Sequence, residues 1–127
     1  MITGSCLCKK VSYQVAELQG PLVYCHCSFC RKATSSAFSA NSLVKAVDFQ
    51  LGAGSPDLAV YESSPGKFRY YCPDCHSQIY HTKDDMPDLI TLKLGTIDNC
   101  EQDLSELPIK HIHDEEGFAW LEYERSE

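Results

Sequence analysis

The stretch "YCHCSFCRKATSSAF" (residues 24–38) contains three cysteines within six residues, namely Cys25, Cys27 and Cys30. A tetrahedral zinc site takes four ligands, and thiolate is one of the preferred kinds. The stretch therefore supplies three ligands and raises the question of the fourth. The other cysteines form a C-x-C pair, a C-x2-C pair and a single residue: Cys6 and Cys8, Cys72 and Cys75, and Cys100.

Length and residue pattern predict a mostly β domain. The 127 residues can bury one core, so we predict a single domain over residues 1–127. No long segment has apolar residues at a helical period, and short alternating segments bounded by Gly and Pro favour strands. We predict strands at residues 10–15, 22–25, 36–44, 58–62, 67–71, 78–82, 89–94, 109–113 and 118–121, and one helical turn at 28–34 with Ser28 as its N-cap.

The charge of the chain disfavours nucleic acid as a partner. The formal charge is −7, and seven thiolates with two Zn²⁺ ions would bring it to −7 − 7 + 4, or −10. A phosphate backbone would repel such a molecule, and its Lys and Arg residues are scattered. No N-terminal apolar region follows Met1, and no segment approaches the ~18 apolar residues of a membrane span. We therefore expect a cytoplasmic protein without a membrane segment.

The cysteine spacings favour metal binding over disulfides. A disulfide scaffold is typical of small secreted proteins, whereas close C-x-C and C-x2-C pairs in a cytosolic chain suit zinc. Two such pairs make one closed four-thiolate site, and Cys6, Cys8, Cys72 and Cys75 are the natural set for a structural zinc. Spacing alone leaves open a competing site that combines Cys72 and Cys75 with part of the middle group.

The remaining trio, Cys25, Cys27 and Cys30, has the ligand count of a catalytic zinc site, which keeps one position exchangeable. Three alternatives stay open: the site is open, it is closed by a fourth protein ligand, or it is weakly occupied. Cys100 and the histidines are the candidates for a fourth ligand: His26, His76, His81, His111 and His113. A zinc held by three thiolates is a poor Lewis acid but accepts a further thiolate well, so the implied substrate is a thiol.

Several motifs resemble those of the glutathione-dependent formaldehyde-activating enzyme family, whose relatives include centromere protein V. They are "GSCLCKKVSY" (4–13), "CHCSFCRKATSSAF" (25–38), "YCPDCHSQIY" (71–80), "LGTIDN" (94–99), "PIKHIH" (108–113) and Trp120. They occur in the family's order and cover nearly the whole chain.

The resemblance implies an Mss4-like β fold with two Zn²⁺ ions. It also implies that Cys6, Cys8, Cys72 and Cys75 hold the structural zinc and that Cys25, Cys27 and Cys30 hold the second, catalytic one. The implied reaction is that of S-(hydroxymethyl)glutathione synthase, a carbon–sulfur lyase that joins glutathione to formaldehyde. Arg31 and Lys32 follow the third cysteine and are candidates for contacts with the carboxylates of such a substrate.

Three positions depart from the family pattern. The family commonly has Gly where this chain has Lys9 and His76, and it has Thr-Gly-Ser where this chain has Thr34-Ser35-Ser36. The position of His76 often needs a positive φ, which His adopts at some cost. The loss of a glycine near the second site affects the expected substrate more than the fold.

Two functions of other classes are alternatives to the enzyme. One is a non-catalytic carrier that binds glutathione or another thiol. The other is a structural zinc module that presents a surface to a protein partner, which a closed second site would favour. Oligomeric state does not follow from the sequence.

Overall fold

Eleven short strands and one α-helix form the regular structure of residues 1–123, the part of the chain that the computed structural model describes. The mostly β prediction is confirmed. The elements are β1 (Ile2–Ser5), β2 (Ser12–Val15), β3 (Leu22–Cys25), α1 (Ser28–Thr34), β4 (Ser39–Lys45), β5 (Gln50–Leu51), β6 (Ala59–Ser64), β7 (Lys67–Tyr71), β8 (Gln78–Lys83), β9 (Leu89–Lys93), β10 (Ile97–Cys100) and β11 (Ile109–Ile112).

The strands form two sheets. A four-stranded antiparallel sheet has the order β10-β1-β2-β5. A seven-stranded sheet has the order β11-β3-β4-β9-β8-β7-β6, and its pairs are antiparallel except for the parallel pair of β11 and β3. The hairpin of β6 and β7 was predicted from the turn at residues 64–66 and is confirmed.

The hydrophobic core draws on both sheets. Side chains alternate between the two faces of a strand, so in β2 Tyr13 and Val15 are buried while Ser12 and Gln14 are exposed. In the seven-stranded sheet Val44, Ile90 and Leu92 point towards the same core, together with residues of the other sheet and of the cysteine pairs: Ile2, Cys6, Val11, Tyr13, Val15, Leu18, Cys72 and Ile79.

A β-bulge in β8 places two consecutive residues, Ile79 and Tyr80, against the core. Tyr70 pairs with Tyr80 and Tyr71 with Gln78, so Ile79 is the extra residue. Bulges re-aim side chains, and here Ile79 joins the core although it lies two residues before His81. His81 pairs with Thr91, and both line a cavity on the other face of the sheet.

Several local predictions need correction. Cys27, not Ser28, is the N-cap of α1, because its sulfur accepts a hydrogen bond from the Cys30 N–H. The predicted strand at residues 118–121 is wrong, since these residues form a turn and irregular chain. The sequence reading missed β1, β5 and β10, whose four, two and four residues are too short for a clear alternation.

The helices within residues 1–123 are short, and α1 has seven residues. No helix in this part of the chain is both long enough and apolar enough to cross a bilayer.

Removing side-chain volume at Ile79 should destabilise the fold strongly. The side chain is fully buried, and Ile79→Ala would leave a cavity that costs about 2–5 kcal/mol in the free energy of unfolding. Val60 on β6 is 51% exposed, so Val60→Ala should change it by no more than about 0.5 kcal/mol. Urea unfolding of both variants measures the difference, and equal losses would contradict this account of the core.

Candidate metal centres and the adjoining cavity

The fold brings the two outer cysteine pairs together. The Sγ atoms of Cys6, Cys8, Cys72 and Cys75 all lie within 4.8 Å of one another. The distance is 3.6 Å between Cys6 and Cys8 and 3.8 Å between Cys8 and Cys72. Four Zn–S bonds of about 2.3 Å in a tetrahedron place the sulfurs about 3.8 Å apart. The competing combination with the middle cysteines is wrong, because the middle cysteines form a separate group.

Backbone and side-chain donors surround these sulfurs. The N–H of Val11 donates to Cys6 Sγ at 3.3 Å, and the N–H groups of Asp74 and Cys75 donate to Cys72 Sγ at 3.4 and 3.5 Å. Hydrogen bonding from Ser77 lowers the pKa of Cys75 to about 5. Hydrogen bonds of this kind favour the thiolate, the form that ligates metal. The donor set therefore fits a closed structural zinc site.

Three residues that replace family glycines adopt the left-handed conformation. The φ angles are 72° at Lys9, 64° at His76 and 53° at Ser35. Lys9 and His76 follow the two ligand pairs of the first group, and Ser35 is the C-cap of α1. A side chain in this conformation costs roughly 1–2 kcal/mol per residue. The positive φ expected at His76 is thus confirmed, and the same constraint holds at the other two positions.

A strand end and a helix start gather the second group of thiols. Cys25 is the last residue of β3, Cys27 caps α1, and Cys30 lies in the first turn of that helix. The Sγ atoms of the three residues lie within 4.8 Å of one another, with 3.5 Å between those of Cys25 and Cys27. The Cys30 N–H donates to Cys27 Sγ at 3.3 Å, which fixes the spacing locally.

Among residues 1–123, no Cys, His, Asp or Glu joins this trio within the same distance. Cys100 lies in the four-stranded sheet and donates its S–H to the carbonyl of Gln102 at 3.3 Å. His26 Nε2 is 2.8 Å from His111 Nδ1, so these rings bond each other. The described chain thus provides three ligands, and the Cys100 candidate for the fourth is wrong.

Two cations of β7 approach the trio. The Cys30 Sγ is 3.9 Å from Lys67 Nζ and 3.7 Å from Arg69 Nη2, and Arg69 is only 3% exposed. Hydrogen bonding from Cys25, followed by the charges of Lys93 and these two residues, lowers the pKa of Cys30 to about 4. Cys30 is therefore the sulfur of the trio whose surroundings favour the thiolate, whereas hydrogen bonding with Cys30 and burial raise the pKa of Cys25.

The sequence reading missed these two cations, although a signal was present. Alternate residues of a strand share a face, so Lys67 and Arg69 in "KFRYY" (67–71) point the same way. A buried Arg requires an anionic or hydrogen-bonding partner. Which partner it finds depends on the packing of α1 over the sheet, which spacing along the chain does not give.

A buried polar network lies beside the cations. Lys93, at the end of β9, is 5% exposed, and its Nζ lies 3.2 Å from Ser39 Oγ, 3.0 Å from Asn41 Oδ1 and 2.9 Å from His81 Nδ1. Burial lowers the pKa of Lys93 to about 7. Lys93 was not singled out in the sequence, because its partners lie on other strands.

A cavity of about 210 Å³ opens beside the trio. The three cysteines line it together with polar residues and with apolar side chains, and its walls include Asn41, Lys67, His81, Val23, Leu43 and Ile112. The three cysteine thiols thus face a space that can receive a small molecule.

The candidate substrate contacts lie elsewhere. Arg31 Nε donates to the carbonyl of His26 at 3.1 Å, and its guanidinium stacks 4.3 Å from the centre of the Phe118 ring. Lys32 is exposed. Within the described residues neither lines the cavity beside the trio, and their role in substrate binding stays a prediction.

Replacing a left-handed side chain by Gly should stabilise the protein. Lys9→Gly removes the strain at φ 72°, whereas Lys9→Ala removes the same side chain but keeps its Cβ. We expect the Gly variant to exceed the Ala variant by about 1 kcal/mol in the free energy of unfolding. Denaturant unfolding of the zinc-loaded variants measures this difference in free energy. An Ala variant as stable as the Gly variant would contradict the claim that the backbone at Lys9 is strained.

Comparisons with known proteins identify a family for this chain and a solved structure of similar fold. Residues 1–115 match the sequence model of the family described as "Glutathione-dependent formaldehyde-activating enzyme". No curated protein matches the chain. A crystal structure of a Rhodobacter sphaeroides protein resembles it with a TM-score of 0.66 and 22% identity over 85% of this chain and 99% of that one, which supports the fold. The two cysteine groups could hold metal ions, consistent with zinc, and the chain belongs to the glutathione-dependent formaldehyde-activating enzyme family.

Proposed function

We propose that the chain is a zinc-dependent enzyme of the carbon–sulfur lyase type that joins a thiol such as glutathione to formaldehyde or a related small electrophile. The observation that carries the proposal is the trio of Cys25, Cys27 and Cys30, which has three protein ligands and faces a cavity. Membership of the formaldehyde-activating family supports the same reaction.

Cys25, Cys27 and Cys30 would hold the zinc of this site. Zinc at this position would supply acidification of an incoming thiol, whose proton would go to solvent and leave the nucleophilic thiolate at neutral pH. The N–H of Cys30 donates to Cys27 Sγ, and the cations at Cys30 Sγ favour the thiolate form of Cys30. Residues 1–123 supply three ligands, and we infer that the substrate thiol would supply the fourth.

Charge at the site favours an anionic sulfur. Four thiolates and one Zn²⁺ would sum to −2, which a buried site does not tolerate without cations nearby. Lys67 and Arg69 are placed at the sulfur of Cys30. Lys67 and Arg69 would offset the charge that an incoming thiolate adds, so these two residues would act on binding of the thiol rather than on the aldehyde.

The size of the cavity suits the reacting ends of the two substrates. Sites that enclose drug-sized ligands typically have about 300–1,000 Å³, whereas this cavity has about 210 Å³. We infer that the cysteinyl thiol of glutathione and the aldehyde enter it while the rest of the tripeptide lies outside. Apolar walls from Val23, Leu43 and Ile112 limit water around the reacting atoms.

The advantage of such a site is mainly proximity. Thiols add to formaldehyde without an enzyme, and holding both reactants side by side converts an encounter of two molecules into a reaction within one complex. A protein that held the thiol without the aldehyde would be a carrier, which is the second function that the same site supports. Turnover distinguishes the two.

Loss of one ligand of the trio should strongly reduce the acceleration. We expect zinc-loaded protein to speed formation of S-hydroxymethylglutathione from glutathione and formaldehyde, followed by NMR. Cys27→Ser should reduce the acceleration by at least tenfold, since loss of a mere outer-shell partner of a metal costs about 10–100-fold.

Cys100→Ser is the matched control, because Cys100 lies in the other sheet and serine keeps the hydrogen bond to Gln102. It should leave the rate unchanged. Equal rates for Cys27→Ser and the unmutated protein would refute the proposed site. Glutathione binding without any acceleration would assign the chain to the carriers.

A further inference from the structure

A histidine and a lysine on neighbouring strands form a buried pair that ligation of zinc does not use. His81 on β8 is 3% exposed and lines the cavity beside the trio, and its Nδ1 lies 2.9 Å from Lys93 Nζ. Lys93 is 5% exposed. A buried lysine is costly in free energy unless each proton of its ammonium group has a hydrogen-bond acceptor.

The partners of Lys93 fix the state of the histidine ring. Ser39 Oγ donates its hydrogen to Asn41 Oδ1 at 2.8 Å, so the serine oxygen is free to accept from Lys93. The asparagine oxygen accepts as well. The three protons of the ammonium group thus match three acceptors, and the third is His81 Nδ1. A ring that accepts at Nδ1 carries its proton on Nε2.

The ring stays neutral in these surroundings. Burial is the main cause that lowers the pKa of His81, and four cations around it lower it further: Lys93, Lys67, Arg69 and Lys83. A neutral imidazole has one N–H donor. In the described residues Nδ1 is the ring nitrogen that has a hydrogen-bond partner, so the Nε2–H remains available in a ring that lines the cavity.

We propose that His81 is a catalytic residue of the thiol–aldehyde reaction: its Nε2–H donates a hydrogen bond to the carbonyl oxygen, and Lys93 is the positioning residue that holds the ring in this tautomer. The inference rests on the proposed function and adds to it the group that recognises the electrophile. It identifies the electrophile as an aldehyde, because the Nε2–H stabilises an oxygen that gains negative charge during the reaction. An electrophile without such an oxygen would not use this donor.

The proton balance of the step is complete. As the carbon–sulfur bond forms, the π bond of the carbonyl breaks and its electron pair moves to oxygen. The oxygen takes the proton of His81 Nε2, while Nδ1 takes a proton from the Lys93 ammonium group. Nε2, in the ring that lines the cavity, then takes the proton that solvent received when the thiol became a thiolate, and Nδ1 returns its proton to Lys93, which restores the Nε2–H tautomer. A lysine with a pKa of about 7 can give up and regain its proton at neutral pH.

Kinetics of matched variants test the role of His81. His81→Ala should lower kcat by about 10²–10³-fold, the usual cost of removing one donor to a developing oxyanion, and leave the KM for glutathione unchanged. His81→Gln places an amide N–H near the position of Nε2 and should recover most of this loss. A purely structural histidine would show no such rescue.

Lys93→Met tests the positioning role, with Lys45→Met as its control because Lys45 is exposed at the end of the neighbouring strand β4. ¹⁵N NMR of the histidine ring should show the Nε2–H tautomer in the unmutated protein and in Lys45→Met. Lys93→Met should show a mixture of tautomers and a lower kcat. Thermal unfolding of each variant verifies that it is folded.

The outcomes separate this inference from the proposed function. If the unmutated protein does not accelerate the reaction, the proposed function fails. If it does and His81→Ala retains the full kcat, only the role of His81 is overturned. A proton on Nδ1 in the unmutated protein overturns the role of Lys93 whatever the activity. The inference is supported if His81→Ala lowers kcat, His81→Gln recovers it and the unmutated protein carries the Nε2–H tautomer.

Discussion

Close packing of thiol groups is the constraint on which the rest of the structure depends. Sulfur–sulfur distances of 3.5–3.8 Å occur in both cysteine groups, and thiolates at such distances repel one another unless cations offset their charge. The first group brings the N-terminal strands together with the turn after β7, about 65 residues later, so a metal there would join distant parts of the core. The second group has Lys67 and Arg69 beside it and faces a cavity.

The two faces of the seven-stranded sheet have different roles: one packs in the core, and the other lines the cavity. One face supplies the core through residues such as Val44 and Leu92. The other carries the side chains that meet at the cavity, with His81 and Asn41 among them. The bulge in β8 places Ile79 in the core beside Tyr80, while His81 lines the cavity. A substitution on one face therefore acts chiefly on folding, and a substitution on the other acts chiefly on the site.

The sequence predicted the parts of this arrangement that depend on short spacings. C-x-C and C-x2-C pairs bring two sulfurs together wherever the chain runs, so both thiol groups could be anticipated, as could the strain at His76. The pairing of His81 with Lys93 could not, because it depends on the neighbouring positions of β8 and β9 in the sheet. The cap at Cys27 was missed for a related reason, since a thiol that accepts a backbone N–H is rarer than a serine cap.

X-ray absorption at the zinc edge, with and without glutathione, tests the central claim that the trio leaves room for a substrate thiol. Protein loaded with two zinc ions should show seven cysteine sulfurs over two metals, four from one group and three from the other, or an average of 3.5. Glutathione should raise the average to 4 in the unmutated protein. An average of 4 sulfurs before glutathione is added, or no change when it is, would contradict the account.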